Sequence, residues 1–118
     1  MPPTAPQVWP DDLDALIAAP GYHSLLLENE SVRVLDTTVP PGHTVPHHTH
    51  RWPAVHYIIT WSDFVRRDLA GAVLLDTRNT PKKPAPGSTL WSGPFPLHTL
   101  ENVGDSDLHV LSVEIKAK

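Results

Sequence analysis

Short runs in which apolar and polar residues alternate make up much of this chain. The clearest run covers residues 31–36, and β-branched residues extend it to Val39 before Pro40, Pro41 and Gly42 interrupt the pattern. A period of two places successive side chains on opposite faces of a β-strand. Further strands are predicted at 46–50, 54–60, 63–68, 73–78, 88–91, 97–101 and 107–116. Many short strands separated by turn residues predict an antiparallel barrel or sandwich.

One short helix is expected before the strands. Pro10 opens a segment with aspartates in its first turn, and Pro20 and Gly21 close it, which is typical of helix ends. Residues 1–9 are rich in proline and lack periodicity, so we expect an N-terminal arm that lies on the surface or on a neighbouring subunit. Residues 10–118 have the size of a single domain.

The composition narrows the classes of function. A net charge of −4 with only nine lysines and arginines argues against nucleic acid as a partner. The chain contains no run of 18 apolar residues, so we expect no membrane-spanning helix. Because the N-terminal residues do not resemble a secretory signal, we expect a cytoplasmic location. Cysteine is absent, so the eight histidines are the candidate ligands for a transition metal.

Three of these histidines are expected to meet. His48 and His50 lie two residues apart in a predicted strand, so their side chains leave the same face. His98 lies in another predicted strand, and closure of a barrel could bring it to the same point in the lumen. His47 should point outward, and His23 shows no signal beyond composition.

The spacing of these histidines resembles the two sequence motifs of cupins. The first motif has a glycine, five residues and then His-x-His, as in Gly42 to His50. Residues 98–102, from His98 to Asn102, resemble the end of the second motif, and Gly87 stands at the family's distance before it. The resemblance covers roughly residues 25–115. It implies an all-β double-stranded β-helix, the jelly-roll or cupin barrel, with one short N-terminal helix here.

The resemblance also implies a metal site and an activity. His48, His50 and His98 would bind one divalent ion, which could be iron, manganese, zinc, nickel or copper. Cupins usually have a glutamate ligand four or five residues after the second histidine, but Ala54 and Val55 stand there. Such a three-histidine site is similar to those of cysteine-dioxygenase-like and diketone-cleaving cupins. Without the carboxylate the ion keeps its full charge, which favours small anionic substrates that chelate it.

Strand alternation indicates which other side chains face the lumen. In the common register Ala54, His56 and Ile58 face inward, whereas a shift of one residue would replace His56 with Tyr57. We predict that His56 is an inner residue and the candidate acid–base group, although a role as a fourth ligand or as a hydrogen-bond donor is also open.

Two other predicted strands carry side chains whose direction matters. Arg66 and Arg67 alternate, so one of them could face the lumen and meet a carboxylate substrate, while exposure to solvent is the commoner outcome. In the last strand, positions 109, 111, 113 and 115 are the more apolar set, and we expect them to face inward.

These observations predict a metal-dependent cupin enzyme of the dioxygenase or lyase type that acts on a small anionic or enolisable organic substrate. The alternative is a non-catalytic small-molecule-binding or sensor cupin, since one fold hosts both classes. We also expect a homodimer, because the chain has a proline-rich arm and because small cupins commonly pair their barrels.

Overall fold

Nine strands form two antiparallel sheets in residues 9–116, the part of the chain that the computed structural model describes. The strands are β1 (His23–Glu28), β2 (Val32–Val39), β3 (Thr44–His50), β4 (Ala54–Thr60), β5 (Phe64–Arg67), β6 (Val73–Asp76), β7 (Thr89–Ser92), β8 (Phe95–Asn102) and β9 (Leu108–Ile115). One sheet has the order β1-β2-β9-β4-β7, and the other has the order β3-β8-β5-β6. The predicted all-β fold is confirmed. Residues 1–8 of the predicted arm lie outside the described residues.

Strand β1 has no counterpart among the predicted strands. Its residues Leu25, Leu26 and Leu27 form an unbroken apolar run, and the pairing with β2 shifts register between Leu25 and Leu27. β1 is the edge strand of its sheet, and a bulge at an edge breaks the regular alternation of side chains. The sequence of β1 therefore does not show the alternation of apolar and polar residues that predicts a strand.

The predicted helix is interrupted at Asp14. A 3-10 turn at Asp11–Leu13 precedes the helix α1 (Ala15–Ala18), and Asp14 between them has an extended backbone with φ −59° and ψ 145°. The Asp14 side chain accepts a hydrogen bond from the Leu16 amide as the N-cap of α1, and it also binds Arg33. No helix in the described residues is long and apolar enough to span a membrane.

The ion pair between Asp14 and Arg33 belongs to a buried network that joins the N-terminal segment to the larger sheet. Arg33 donates from Nη1 and Nη2 to the two oxygens of Asp14 at 2.8 and 3.0 Å, and from Nε to Oε1 of Glu114 at 2.6 Å. All three side chains are buried. Burial favours the neutral form of Asp14, but the hydrogen bonds and charge of Arg33 outweigh it, so the pKa of Asp14 lies below its usual value of 3.8.

A buried amide fixes the turn that follows β8. Nδ2 of Asn102 donates to the carbonyl oxygens of Val39 and Ser106, and its Oδ1 accepts from Ser62 Oγ and the Gly104 amide. A side chain at Gly104 would meet Ser62 Oγ at 2.1 Å, so this turn requires glycine. Asn102, which ends the second motif, is therefore a structural residue that joins β8 to β2.

Asp14→Asn is expected to lower the free energy of unfolding by about 3 kcal/mol, because it leaves the buried guanidinium of Arg33 partly uncompensated, while asparagine still caps α1. The folded-state pKa of Asp14 is depressed, so its contribution is present above pH 3.8 and is lost as the pH falls through the folded value. Urea unfolding should therefore separate parent and variant at pH 7 and bring them together in acid. Asp11→Asn, which removes the exposed partner of Arg51, is the control, and equal stabilities at pH 7 for all three proteins would contradict this account.

Candidate metal centre

Pairing of β3 with β8 brings the three predicted histidines together. His48 in β3 is directly opposite His98 in β8, and His50 follows after a shift of register. The ring centroids of His48 and His98 are 4.3 Å apart, those of His48 and His50 are 5.0 Å apart, and those of His50 and His98 are 5.9 Å apart. His47 is exposed, as predicted.

A fourth histidine, His23, joins this cluster. Its ring centroid lies 5.1 Å from that of His48 and 5.3 Å from that of His50. One ligand nitrogen from each of His23, His48 and His50 can be chosen so that all three lie within 4.8 Å of one another. His23 begins β1, the strand that the sequence pattern did not reveal. The available signal was the run Leu25 to Leu27, which as a strand would have placed His23 at its start.

The rings of His48 and His98 are oriented by the same local hydrogen bond, to the carbonyl oxygen of the proline two residues earlier. Nδ1 of His48 lies 2.7 Å from the carbonyl oxygen of Pro46, and Nδ1 of His98 lies 2.7 Å from that of Pro96. A carbonyl oxygen can only accept, so Nδ1 carries the proton in both rings and the lone pair lies on Nε2. The repeated Pro-x-His sequence therefore prepares both side chains to bind a metal through Nε2.

The other two histidines reach the same state through more distant partners. Nδ1 of His23 lies 3.0 Å from the carbonyl oxygen of Ala19 at the end of α1, and Nδ1 of His50 lies 3.0 Å from Oε2 of Glu114. An acceptor thus faces Nδ1 in each ring of the cluster. This is the arrangement that holds metal-binding imidazoles in one tautomer and orientation.

The cluster consists of neutral imidazoles. Burial lowers the pKa of His48 and of His50 far below the usual 6.5, and the neighbouring histidines lower both further. Burial also lowers the pKa of His98, to about 4, and that of His23. Each ring therefore offers a lone pair at neutral pH, which is the state that metal coordination requires.

A carboxylate does stand beside the cluster, although not where the motif would place it. Glu114 in β9 is paired with Ala54 in β4 and is 1% exposed. It is held between Arg33 and His50, where it orients His50. The predicted inner face of β9 is wrong, because Leu108, Val110 and Ser112 line the interior cavity and Glu114 is buried on the same side. The outer face of β9, with Leu111, Val113 and Ile115, is the more apolar one, because the inner face includes Ser112 and Glu114, and apolarity therefore selected the wrong set.

His56 lies on the inner side of β4. Ala54 and Ile58 are buried, Tyr57 is 46% exposed and His56 lines the cavity, as the favoured register requires. Nδ1 of His56 is 2.7 Å from Ser112 Oγ, and Nε2 is 2.7 Å from Ser92 Oγ. Burial, and after it the charge of Arg66, lower the pKa of His56, so the ring is neutral at pH 7. Both nitrogens are engaged by hydroxyl groups, which separates His56 from the four-histidine cluster.

The histidines open onto one cavity between the two sheets. It has a volume of about 530 Å³ and is lined by His23, His50, His56 and His98 together with mostly apolar residues. This volume is within the range of pockets that bind small organic molecules. The arrangement combines a compact set of His23, His48 and His50, the adjacent His98, the neutral imidazole of His56 and room for an organic ligand.

Solved structures share this fold, whereas no protein-family model and no curated protein matches the chain. A cupin domain from Bordetella pertussis is 21% identical over 80% of this chain and 92% of its own, with a TM-score of 0.63. An uncharacterized double-stranded β-helix protein from Klebsiella pneumoniae is 19% identical over 79% of this chain and 70% of its own, with a TM-score of 0.53. The DMSP lyase DddQ from Ruegeria pomeroyi is 13% identical over 80% of this chain and 47% of its own, with a TM-score of 0.52. The chain therefore has the cupin double-stranded β-helix fold.

His50→Ala is expected to abolish stoichiometric binding of a divalent metal, and His23→Ala is expected to weaken it by roughly tenfold or more, because each change removes a nitrogen of the cluster. Elemental analysis after dialysis against zinc or iron(II) measures the stoichiometry, and competition with a chromogenic chelator measures the affinity. His47→Ala removes an exposed neighbouring histidine and should match the parent. If His50→Ala retained as much metal as His47→Ala, the cluster would not be a metal site.

Proposed function

We propose that this chain is a metal-dependent enzyme of the dioxygenase or lyase type that acts on a small anionic or enolisable organic substrate. The observation that carries the proposal is the four-histidine cluster, in which an acceptor faces Nδ1 of each ring and Nε2 is free to coordinate. We assign His48, His50 and His98 as ligands. His23 would be a fourth ligand and would occupy the coordination position that the carboxylate fills in other cupins, without supplying its negative charge.

The donor set supports a metal of borderline softness. Imidazole nitrogens suit zinc, iron, nickel and copper, whereas manganese prefers carboxylate oxygens. When bound, such an ion would supply Lewis-acid or redox chemistry to the substrate. The chain's part is to hold the protons on the Nδ1 atoms with Glu114, Ala19, Pro46 and Pro96, which preserves the orientation of all four rings.

The charges around the cluster support an anionic substrate. The imidazoles are neutral, and the nearest carboxylate, Glu114, is shared with Arg33. A divalent ion on these rings would keep a charge of +2 in its immediate coordination sphere, so anions would be attracted to the remaining positions. Arg66 adds a second positive charge to the cavity wall.

His56 is the group that we propose to move a proton. Its neutral ring lines the cavity, and its Nε2 is hydrogen-bonded to Ser92 Oγ, which lines the cavity as well. Nε2 can take a proton from an enolisable substrate, directly or through the Ser92 hydroxyl, while Ser112 Oγ holds Nδ1. An enzyme that stabilises an enolate or a leaving carboxylate needs such a base beside a positive centre.

The cupin fold hosts lyases as well as other enzymes and binding proteins. A lyase occurs on this fold, since DddQ is described as a DMSP lyase, yet one fold supports many reactions. The competing function is non-catalytic binding of a small molecule. Turnover separates the two, because a binder or sensor would take up a ligand and release it unchanged.

The test is a screen of the metal-loaded protein. Samples reconstituted with iron(II), zinc, nickel or copper are given thiols, 1,3-diketones and hydroxy acids, and oxygen uptake and product formation are recorded. We expect turnover with at least one combination, and we expect His56→Gln to lower kcat by about 100-fold or more with unchanged metal content. The parent should lose activity below the depressed pKa of His56, and the variant should lack this acid limb. Binding without turnover across the whole screen would favour the sensor and contradict the enzyme.

We also propose that the chain forms a homodimer through strand β1. Within the described residues β1 pairs only with β2, and Leu25, Leu26 and Leu27 on it are 47%, 56% and 50% exposed. A free edge offers backbone hydrogen-bonding groups that only another strand can satisfy in register. An antiparallel β1 from a second copy supplies that strand and covers the leucines, with the same patch on both subunits.

The cytoplasmic location and the absence of nucleic-acid and membrane partners remain predictions.

Leu26→Lys should convert this dimer into a monomer, because a charge on the edge strand opposes strand pairing between two copies. Sedimentation velocity at micromolar concentration should give about 26 kDa for the parent, twice the chain mass of 13.0 kDa, and about half that for the variant. Leu69→Lys changes another exposed leucine, outside the strands, and should remain dimeric. A monomeric parent would refute the homodimer, and a dimeric Leu26→Lys protein would exclude β1 as its interface.

A further inference from the structure

The cavity beside the histidines has an apolar wall and an apolar mouth. Ile58, Leu100 and Val110 line its interior, and Leu75, Leu90 and Trp91 line it where the protein is exposed. Trp91 is 65% exposed. Large apolar side chains left at the mouth of an apolar cavity are typical of a site that takes an apolar ligand.

One half-buried cation interrupts this apolar surface. Arg66 lies in β5 between Leu100 of β8 and Leu75 of β6, and it lines the cavity. Its guanidinium carbon is 4.1 Å from the centroid of the Phe95 ring. Within the described residues, the buried Nε has no hydrogen-bond partner. A buried unpaired donor costs free energy, so its presence calls for an explanation.

The other cations near the cavity are already paired or lie at its rim. Lys83 is exposed and binds Asp63 at 3.0 Å together with the carbonyl oxygen of Thr77, and Lys82 is exposed. Arg67, the next residue along β5, is paired with Glu101 at 2.8 Å. Burial lowers the pKa of Arg66 to about 10, and no carboxylate in residues 9–116 counteracts it, yet the side chain remains charged at neutral pH.

Phe95 connects this cation to the histidines. Its ring lies 5.5 Å from that of His98 and 6.1 Å from that of His50, and His56 stacks on it at 6.4 Å. The charge of Arg66 also lowers the pKa of both His56 and His98, after the larger effect of burial. A ligand bound to Arg66 would therefore lie beside the proposed acid–base group and the proposed metal centre.

We propose that Arg66 is the substrate-binding residue of this site and that it binds the carboxylate of an apolar monocarboxylic acid. The guanidinium supplies planar donors that match a carboxylate, and the anion would pair with its charge and accept from the buried Nε. The hydrocarbon part of the acid packs against the apolar wall and extends towards Trp91. One guanidinium within the apolar wall favours one carboxylate over two, because Lys82 is exposed and Lys83 is paired with Asp63. This inference rests on the proposed function for its catalytic meaning, but binding of the acid at Arg66 needs no metal.

The test uses the metal-free protein and the series of straight-chain monocarboxylates from acetate to octanoate. Isothermal titration calorimetry should show affinity that rises by about fourfold for each methylene that becomes buried. Primary alcohols of equal chain length should bind at least tenfold more weakly, because they leave the charge of Arg66 unpaired. Affinity that does not depend on the carboxylate, or no binding by any acid of the series, would overturn the proposal.

Three variants assign the binding to Arg66. Arg66→Met keeps an unbranched apolar stem but removes the guanidinium and should weaken octanoate binding by tenfold or more, whereas Arg66→Lys should lie between this variant and the parent. Arg67→Met removes the neighbouring, paired arginine and should bind like the parent. Arg66→Met should also be at least as stable as the parent to heat, since it removes a half-buried charge that has no ion-pair partner within the described residues. A purely structural Arg66 would instead give unchanged octanoate affinity and a lower Tm in Arg66→Met, which would refute the proposal.

Two further results separate this inference from the proposed function. If octanoate binding depends on Arg66 while His50→Ala and the parent both fail to bind metal, the enzyme proposal fails and the carboxylate site stands. If metal binds with the expected histidine dependence but octanoate affinity ignores Arg66, the carboxylate site fails alone.

Discussion

The buried carboxylate of Glu114 is the constraint on which the site depends. It accepts hydrogen bonds from Arg33 and from His50, and Arg33 in turn binds Asp14. A buried charge persists only where partners compensate it, so these four side chains fix one another. The same network breaks the N-terminal helix at Asp14, holds α1 against the barrel and orients one imidazole of the cluster. The short α1 then offers the Ala19 carbonyl oxygen that binds Nδ1 of His23.

Around this constraint the protein separates charge from the place where a ligand would bind. The ion pairs of Arg33 lie behind the cluster, the imidazoles are neutral, and the cavity wall is mostly apolar, with Arg66, two exposed lysines and a few hydroxyl and imidazole groups. Electrostatic attraction is stronger in such a poorly solvated space than in water. A metal on the histidines and the cation of Arg66 would thus define two fixed points for one anionic molecule, with Phe95 between them and His56 stacked on Phe95.

The sequence allowed prediction of those features that depend on local periodicity. The spacing of His48 and His50 places both on one strand face, alternation in β4 places His56 inside, and turn residues separate most strands. The roles of His23 and Glu114 could not be predicted from the sequence, because they arise from long-range pairing. β1 is an irregular edge strand, and β9 is more apolar on its outer face than on its inner face, so the pattern of apolar residues does not show which side of either strand is buried. The break at Asp14 also depends on a partner 19 residues away, which no local helix signal contains.

The most direct test of the metal centre is a crystal structure of the metal-loaded protein with anomalous diffraction recorded on both sides of the metal absorption edge. The account predicts a single anomalous peak at roughly 2.0–2.2 Å from the Nε2 atoms of His23, His48, His50 and His98, with Glu114 still bound to Nδ1 of His50. A metal held by Nδ1 atoms, by Glu114 itself, or at a place away from the four histidines would contradict it.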